Sequence, residues 1–204
     1  MKKLLALTLL ISSAAIAQEK WDYKQDVVFA ATHDPSMVHL KDGRKIEVFY
    51  GPVKWEEVNA WKAGRTISIA YNPNSGVVLF DPASGKKVPI LSGLAEHPVD
   101  IILNKCLNVE TTTAGMNGCY GESIKMWDKE LNLHYSQLLG VLDPKGREDL
   151  KQAQRAWIKF RELQITAIGS VYSESGTMGS ISGGARVMQI TKEQALRLSS
   201  MVNR

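Results

Sequence analysis

Two carboxylates, Asp128 and Glu162, stand on separate stretches of helical period, and a facing carboxylate pair is the equipment of glycoside hydrolysis. Carboxylates on packed helices more commonly make interhelical ion pairs or caps, and Asp128 and Glu162 are expected to do so. In "THD", His33 adjoins Asp34, but neighbours in a strand point to opposite faces and make poor partners. The histidines His33, His39, His97 and His134 lack the spacing of a zinc protease. No Gly-rich phosphate loop follows a strand, and no nucleophile elbow is present. The chain therefore reads as a non-enzyme without cofactor or metal.

The elements that carry these groups are legible from their periods. Between Met116 and Leu139 the apolar residues Ile124, Trp127, Leu131, Tyr135 and Leu138 recur three or four apart, with Leu142 continuing the series. Leu150, Ala153, Trp157 and Phe160 repeat that spacing between Leu150 and Ile165. The intervening "DPKG" offers Asp143 as a cap and Pro144 as a first helical residue, so the expectation is an antiparallel hairpin with one apolar seam. Polar residues beside that seam, Asn132, Arg155 and Arg161, are expected to satisfy partners across the hairpin.

The order Cys106, Met116, Cys119, Asp128, Leu131, Asn132, Tyr135 and then "AQRAWIKFRE", from Ala153 and Gln154 through Arg155, Trp157, Phe160 and Arg161 to Glu162, resembles the LprI-type lysozyme inhibitor family. The resemblance runs from about residue 104 to the end, more weakly through "SGTMGS" and "ITKEQALRL". It implies a helical domain that binds a lysozyme and occludes its cleft without turnover. Relatives usually carry further cysteines after the "FR" pair and before the last helix. Here those places hold Ile165 and the Arg186–Val187 region, so both partners of a second disulfide are missing together.

Compartment follows from other residues. Lys2 and Lys3, the apolar run Leu4 to Ile11 and "AIA" at residues 15–17 read as a cleavable secretory signal, cut after Ala17. The run is too short to span a bilayer, and no cysteine follows the cut to take a lipid. A periplasmic or secreted protein that spans no membrane is expected. In that oxidising setting Cys106 and Cys119 should pair as a structural disulfide. A rival metal site using them with His97 or His134 lacks a close ligand pair such as C-x-x-C.

Removing Lys2 and Lys3 from the 25 Lys and Arg leaves 23 basic against 21 acidic residues, too even a balance for a nucleic-acid partner. Before about residue 95 the texture is different. Strand candidates are Val27 to Ala31, Met37 to Leu40, Ile46 to Tyr50, Thr66 to Tyr71, Val77 to Phe80 and Val88 to Leu91. They are separated by the turn sequences "KDGR", "NPNSG" and "DPASG". In "WEEVNAWKAG" a helical turn ending at Gly64 should place Val58 and Trp61 over one end of the sheet.

The fold class expected is α+β. Residues 1–17 are a signal peptide and 18–95 a small β-rich domain, a partly open barrel of about five strands. Residues 96–204 are a helical domain: a disulfide-stapled antiparallel hairpin with a third, C-terminal helix. Leu91 to Asp100 would be the hinge.

Between the second and last helices lies "SESGTMGSISGG". Its composition suits a flexible connector. Its functional alternative is a protruding recognition loop in which Ser173, Ser175, Gly176, Thr177, Met178 and Ser180 meet a partner. The last helix is then expected to start at Thr191, with Gln194 completing a capping box. Two functions remain open: a lysozyme inhibitor, or a non-catalytic envelope adaptor binding another envelope protein or a cell-wall component. Oligomeric state is not legible.

Overall fold

The computed structural model describes residues 19–34, 36–49, 51 and 54–202. The expected leader at 1–17, Tyr50, and the side chains of His33 and Asp34 lie outside the described residues.

Six antiparallel strands form the first half: β1 (Tyr23–Asp34), β2 (Met37–Leu40), β3 (Lys45–Val48), β4 (Thr66–Asn72), β5 (Gly76–Asp81) and β6 (Lys86–Ser92). Their order is β1-β2-β3-β6-β5-β4, and the sheet closes into a barrel, which goes beyond the partly open form expected. Closure depends on β1. Its first half pairs with β4, Tyr23 opposite Tyr71 through Val28 opposite Thr66, and its second half pairs with β2 from Phe29 opposite Leu40 onward. Register shifts between Phe29 and Ala31 and again between Thr32 and Asp34 turn the strand as it changes partner.

Alternation along the strands fills the barrel. Val27 and Phe29, Val38 and Leu40, Ile46 and Val48, and Ile67, Ile69 and Tyr71 all point inward and are buried. The short helix α1 (Trp55–Asn59) brings Val58 and then Trp61 over one end, where Trp61 meets Phe29 edge-on at 5.6 Å. That is the cover expected from the sequence.

Four helices follow: α2 (Pro98–Val109), α3 (Thr113–Val141), α4 (Pro144–Tyr172) and α5 (Gly176–Ser199). Helix α2 takes in the last three residues of the expected hinge, Pro98 to Asp100, and the chain after it, capped by His97, whose Nδ1 accepts from Val99 N. Cys106 and Cys119 are bonded, so the disulfide joins α2 to α3, ahead of the hairpin. Asp143 caps α4 as expected, its carboxylate accepting from Gly146 N at 2.7 Å, with Pro144 as first helical residue.

The Ser/Gly-rich stretch is helix, and this corrects the expectation of a loop with a last helix starting at Thr191. Ser173 and Ser175 flank the α4–α5 turn, Gly176 (φ +57°) begins α5, and Thr177, Met178 and Ser180 lie in its first turns. Thr191 is buried in mid-helix. Small residues let α5 lie close to α3: a Cβ on Gly184 would already touch Asn117 and Tyr120 at 3.4–3.5 Å. Packing therefore supplies what the poor intrinsic propensity of glycine and serine does not.

The expected seam of α4 is rotated. Gln154 is its one fully buried residue, with Leu150, Trp157 and Arg161 half-buried, while Ala153 and Phe160 turn to solvent. Helix α4 approaches α3 far less closely than α5 does. One apolar core runs from the barrel through Val99, Leu103, Trp127, Leu131 and Leu198, so the two halves share an interior.

Candidate functional site: a cleft between α3 and α4, and a buried polar junction

Because α4 stands off from α3, the two helices enclose a cleft rather than a sealed seam. Its first chamber, about 480 Å³, is lined from α3 by Asp128, Leu131, Asn132 and Tyr135 and from α4 by Lys151, Gln154, Arg155, Trp157, Ile158 and Arg161. A second chamber lies beyond the Asp128–Arg161 pair and includes Ile124, Met126, Ile165, Val187 and Thr191. Ile165 and Val187, which hold the places of the absent second disulfide, face the same space.

The strut between the chambers is well supported. Arg161 Nη1 donates to Asp128 Oδ1 at 2.8 Å, and the guanidinium lies over the Trp157 ring at 4.8 Å. Asn132 Nδ2 donates to both the backbone carbonyl and the carboxylate of Asp128, at 2.8 and 3.2 Å. At the floor, Gln194 of α5 donates to Gln154 Oε1 at 2.7 Å. Eight of the ten motif residues singled out from sequence line this chamber; Ala153 and Phe160 do not. Asp128 and Glu162, considered above as a carboxylate pair, are engaged separately, with Arg161 and with Lys159.

A second cluster, missed by sequence reasoning, sits where barrel meets helices. Glu130 of α3 is 2 % exposed, with His134 Nε2 at 3.7 Å and His97 Nε2 at 4.0 Å from Oε2. Burial pushes the Glu130 carboxyl up to about 8, and burial, aided by His134 and Lys192, pulls His97 down to about 3. Burial lowers His134 against an opposing hydrogen bond from its Nδ1 to Gln137. At neutral pH all three are uncharged. His97 Nδ1 accepts from a backbone amide, so its proton is on Nε2; His134 Nδ1 faces an amide oxygen, so its Nε2 is bare. Protonated Glu130 thus lies between one donor and one acceptor, at separations too long for direct hydrogen bonds.

Around this core the His97 ring stacks on Trp127 at 4.2 Å, and Lys192 of α5 binds Asp100 of α2 at 2.7 Å. The β4–β5 turn presses on Glu130 and Leu133 at Gly76 (φ +67°), where a Cβ would come within 3.1 Å of Glu130 Oε1. Ser199 Oγ donates to Leu91 O, tying the end of α5 to β6. The signal in the sequence was a polar pair, Glu130 and His134, in phase with Trp127, Leu131 and Leu138 on the buried face of α3.

The disulfide consumes both sulfurs of the rival metal reading. Among the described residues no three His, Cys, Asp or Glu side chains are disposed to hold a metal, and no helix is long and apolar enough to cross a membrane.

No curated protein matches this chain. An uncharacterized protein from Burkholderia thailandensis, known from a crystal structure, is similar at 25% identity and a TM-score of 0.50. The match covers 54% of this chain and 56% of that one, so the chain spans little more than half of the protein it resembles. Residues 106–198 match the family model described as Lysozyme inhibitor LprI, which starts at the first disulfide cysteine and ends in the last turns of α5. The match takes in the helices from Cys106 to Leu198 and does not reach the six-stranded barrel that precedes them.

Proposed function

We propose that the chain is an exported protein whose helical half binds a lysozyme and covers its cleft without turnover. The family match over residues 106–198 carries this reading. Export rests on the secretory leader read at residues 1–17 and is consistent with the disulfide.

The surface best suited to the contact is the outer face of α4. Ala156, Phe160, Leu163, Ala167 and Val171 recur at intervals of three or four and form a stripe, with Phe160 51 %, Leu163 60 % and Val171 71 % exposed. At the end of that stripe the α4–α5 corner presents Ser173, Ser175, Gly176, Thr177 and Met178, the last 68 % exposed. An apolar ridge ending in a small-residue corner is a shape that enters a concave cleft, with Phe160 and Leu163 as buried anchors.

The test is a titration of the oxidised mature protein into a cell-wall lysis assay with animal-type, invertebrate-type and goose-type lysozymes. A block of one class that saturates at one equivalent is expected. Replacing Phe160 and Leu163 with Asp, both exposed and so neutral to folding, should weaken that block at least thirty-fold. No block of any class would overturn the inhibitor reading in favour of an envelope adaptor.

A further inference from the structure

We infer that the first chamber of the α3–α4 cleft is a binding site for a carboxylate-bearing ligand of about disaccharide size. The ligand class stands on the chamber itself; the choice of a cell-wall sugar as its source rests on the exported, LprI-type reading above.

The first observation is charge. Lys151 and Arg155, one helical turn apart on α4, both line the chamber, and neither has an ion-pair partner among the described residues. Asp128 is the only carboxylate lining it, and Arg161 and Asn132 already hold that group. Both side chains are exposed, and like charges at i and i+4 weaken a helix slightly. A carboxylate between them would relieve the repulsion, gripped by two parallel hydrogen bonds from Arg155 and by the ammonium of Lys151.

The second observation is an unspent donor. Gln154 is 7 % exposed, its Oε1 accepts from Gln194, and its Nε2, open to the solvent of the chamber, has no protein acceptor among the described residues. A ligand hydroxyl or acyl oxygen would supply one. Around these groups Leu131, Tyr135, Trp157 and Ile158 offer apolar and aromatic walls. A volume of about 480 Å³ is in the range of small-ligand sites, and aromatic faces with a few convergent donors suit a sugar ring. An N-acylated sugar carrying a lactyl carboxylate, as in bacterial cell walls, combines the acid, the acyl oxygen and the apolar ring face in one molecule.

The experiment is calorimetric titration of the full mature chain with the disaccharide of N-acetylglucosamine and N-acetylmuramic acid, beside neutral chitobiose. The acidic sugar is expected to bind at least ten-fold more tightly, with affinity falling as salt is raised. Lys151→Gln with Arg155→Gln should erase that preference, with the circular dichroism spectrum unchanged. Equal affinity for the two sugars, no heat from the acidic one at millimolar concentration, or an unaltered preference in the double variant would each overturn the site. The Phe160→Asp, Leu163→Asp protein should bind sugar normally. Loss of lysozyme inhibition with sugar binding intact therefore separates the two proposals.

Discussion

Glu130 imposes a pH dependence on stability that runs opposite to that of ordinary carboxylates. Its carboxyl is held near 8 in the folded chain against an ordinary 4.5, so between those values the folded state keeps a proton that the unfolded state has released. Stability must then fall as pH rises, by about 1.4 kcal/mol per unit. His97 works the other way: lowered from 6.5 to about 3, it leaves the unfolded state holding the extra proton across that interval, so stability rises with pH up to 6.5. His134, lowered for the same reason, adds to that rise. Below pH 6.5 the imidazoles offset Glu130; from 6.5 to 8 Glu130 acts alone. Over that 1.5-unit window the loss is about 2 kcal/mol, which at an m-value of about 2 kcal/mol/M lowers the urea midpoint by roughly 1 M. Urea unfolding of the wild-type chain at half-unit steps from pH 6 to 8.5 measures it. Glu130→Gln, which places an amide donor and acceptor where the neutral acid stood, should already exceed the wild type by about 3 kcal/mol at pH 6.5, since the wild type has lost stability from pH 4.5 upward, and should stay flat to pH 8. A flat wild-type profile, or the same decline in Glu130→Gln, would refute a protonated Glu130.

Two further substitutions probe the frame around the cleft. Replacing both Cys106 and Cys119 with Ser opens a loop with a sequence separation of 13 and should cost about 3 kcal/mol by denaturant unfolding, while the helical circular dichroism signal persists because most of α3 and all of α4 and α5 lie beyond the crosslink. Gly179→Ala and Gly184→Ala should part company in thermal melts. A Cβ at 179 would fall 2.6 Å from Tyr172 O and 2.5 Å from Ser175 Cβ, forcing the α4–α5 corner to shift at a cost of about 1–3 kcal/mol; a Cβ at 184 meets its neighbours at ordinary contact and should leave stability unchanged or raised.

The strands and their turns were readable because each has a local cause. Alternation in Ile46 and Val48 or Ile67 and Ile69, and glycines at 43, 76 and 85 that adopt positive φ, mark edges and corners without knowledge of the rest. Closure of the barrel was not readable. Tyr23, Lys24, Gln25 and Asp26 have no apolar alternation, yet they pair with Tyr71 to Ser68 and seal the sheet. The backbone ladder decides there, and hydrogen bonds between main chains leave no mark on side-chain pattern. Helix α5 fails for the mirror-image reason: glycine and serine argue against a helix locally, and only the closeness of α3 explains them.

The motif of α3 and α4 was visible, but its role was reversed. An apolar period states which face of a helix looks inward; it does not state how far away the facing helix stands. Leu131, Tyr135 and Trp157 would recur at the same spacing in a sealed seam or around a cleft. What separates the cases is the length of the groups between the helices. Asp128 reaches Arg161 across the gap, and Arg161 in turn rests on Trp157, a spacer of one ion pair and one stacked ring that fills the middle of the cleft and leaves space on both sides. A packed seam would bury Ala153 and Phe160 instead, and these are the two motif residues that turn outward. Charged residues in phase with an apolar seam, one on each helix, are therefore the local sign of a gap held open.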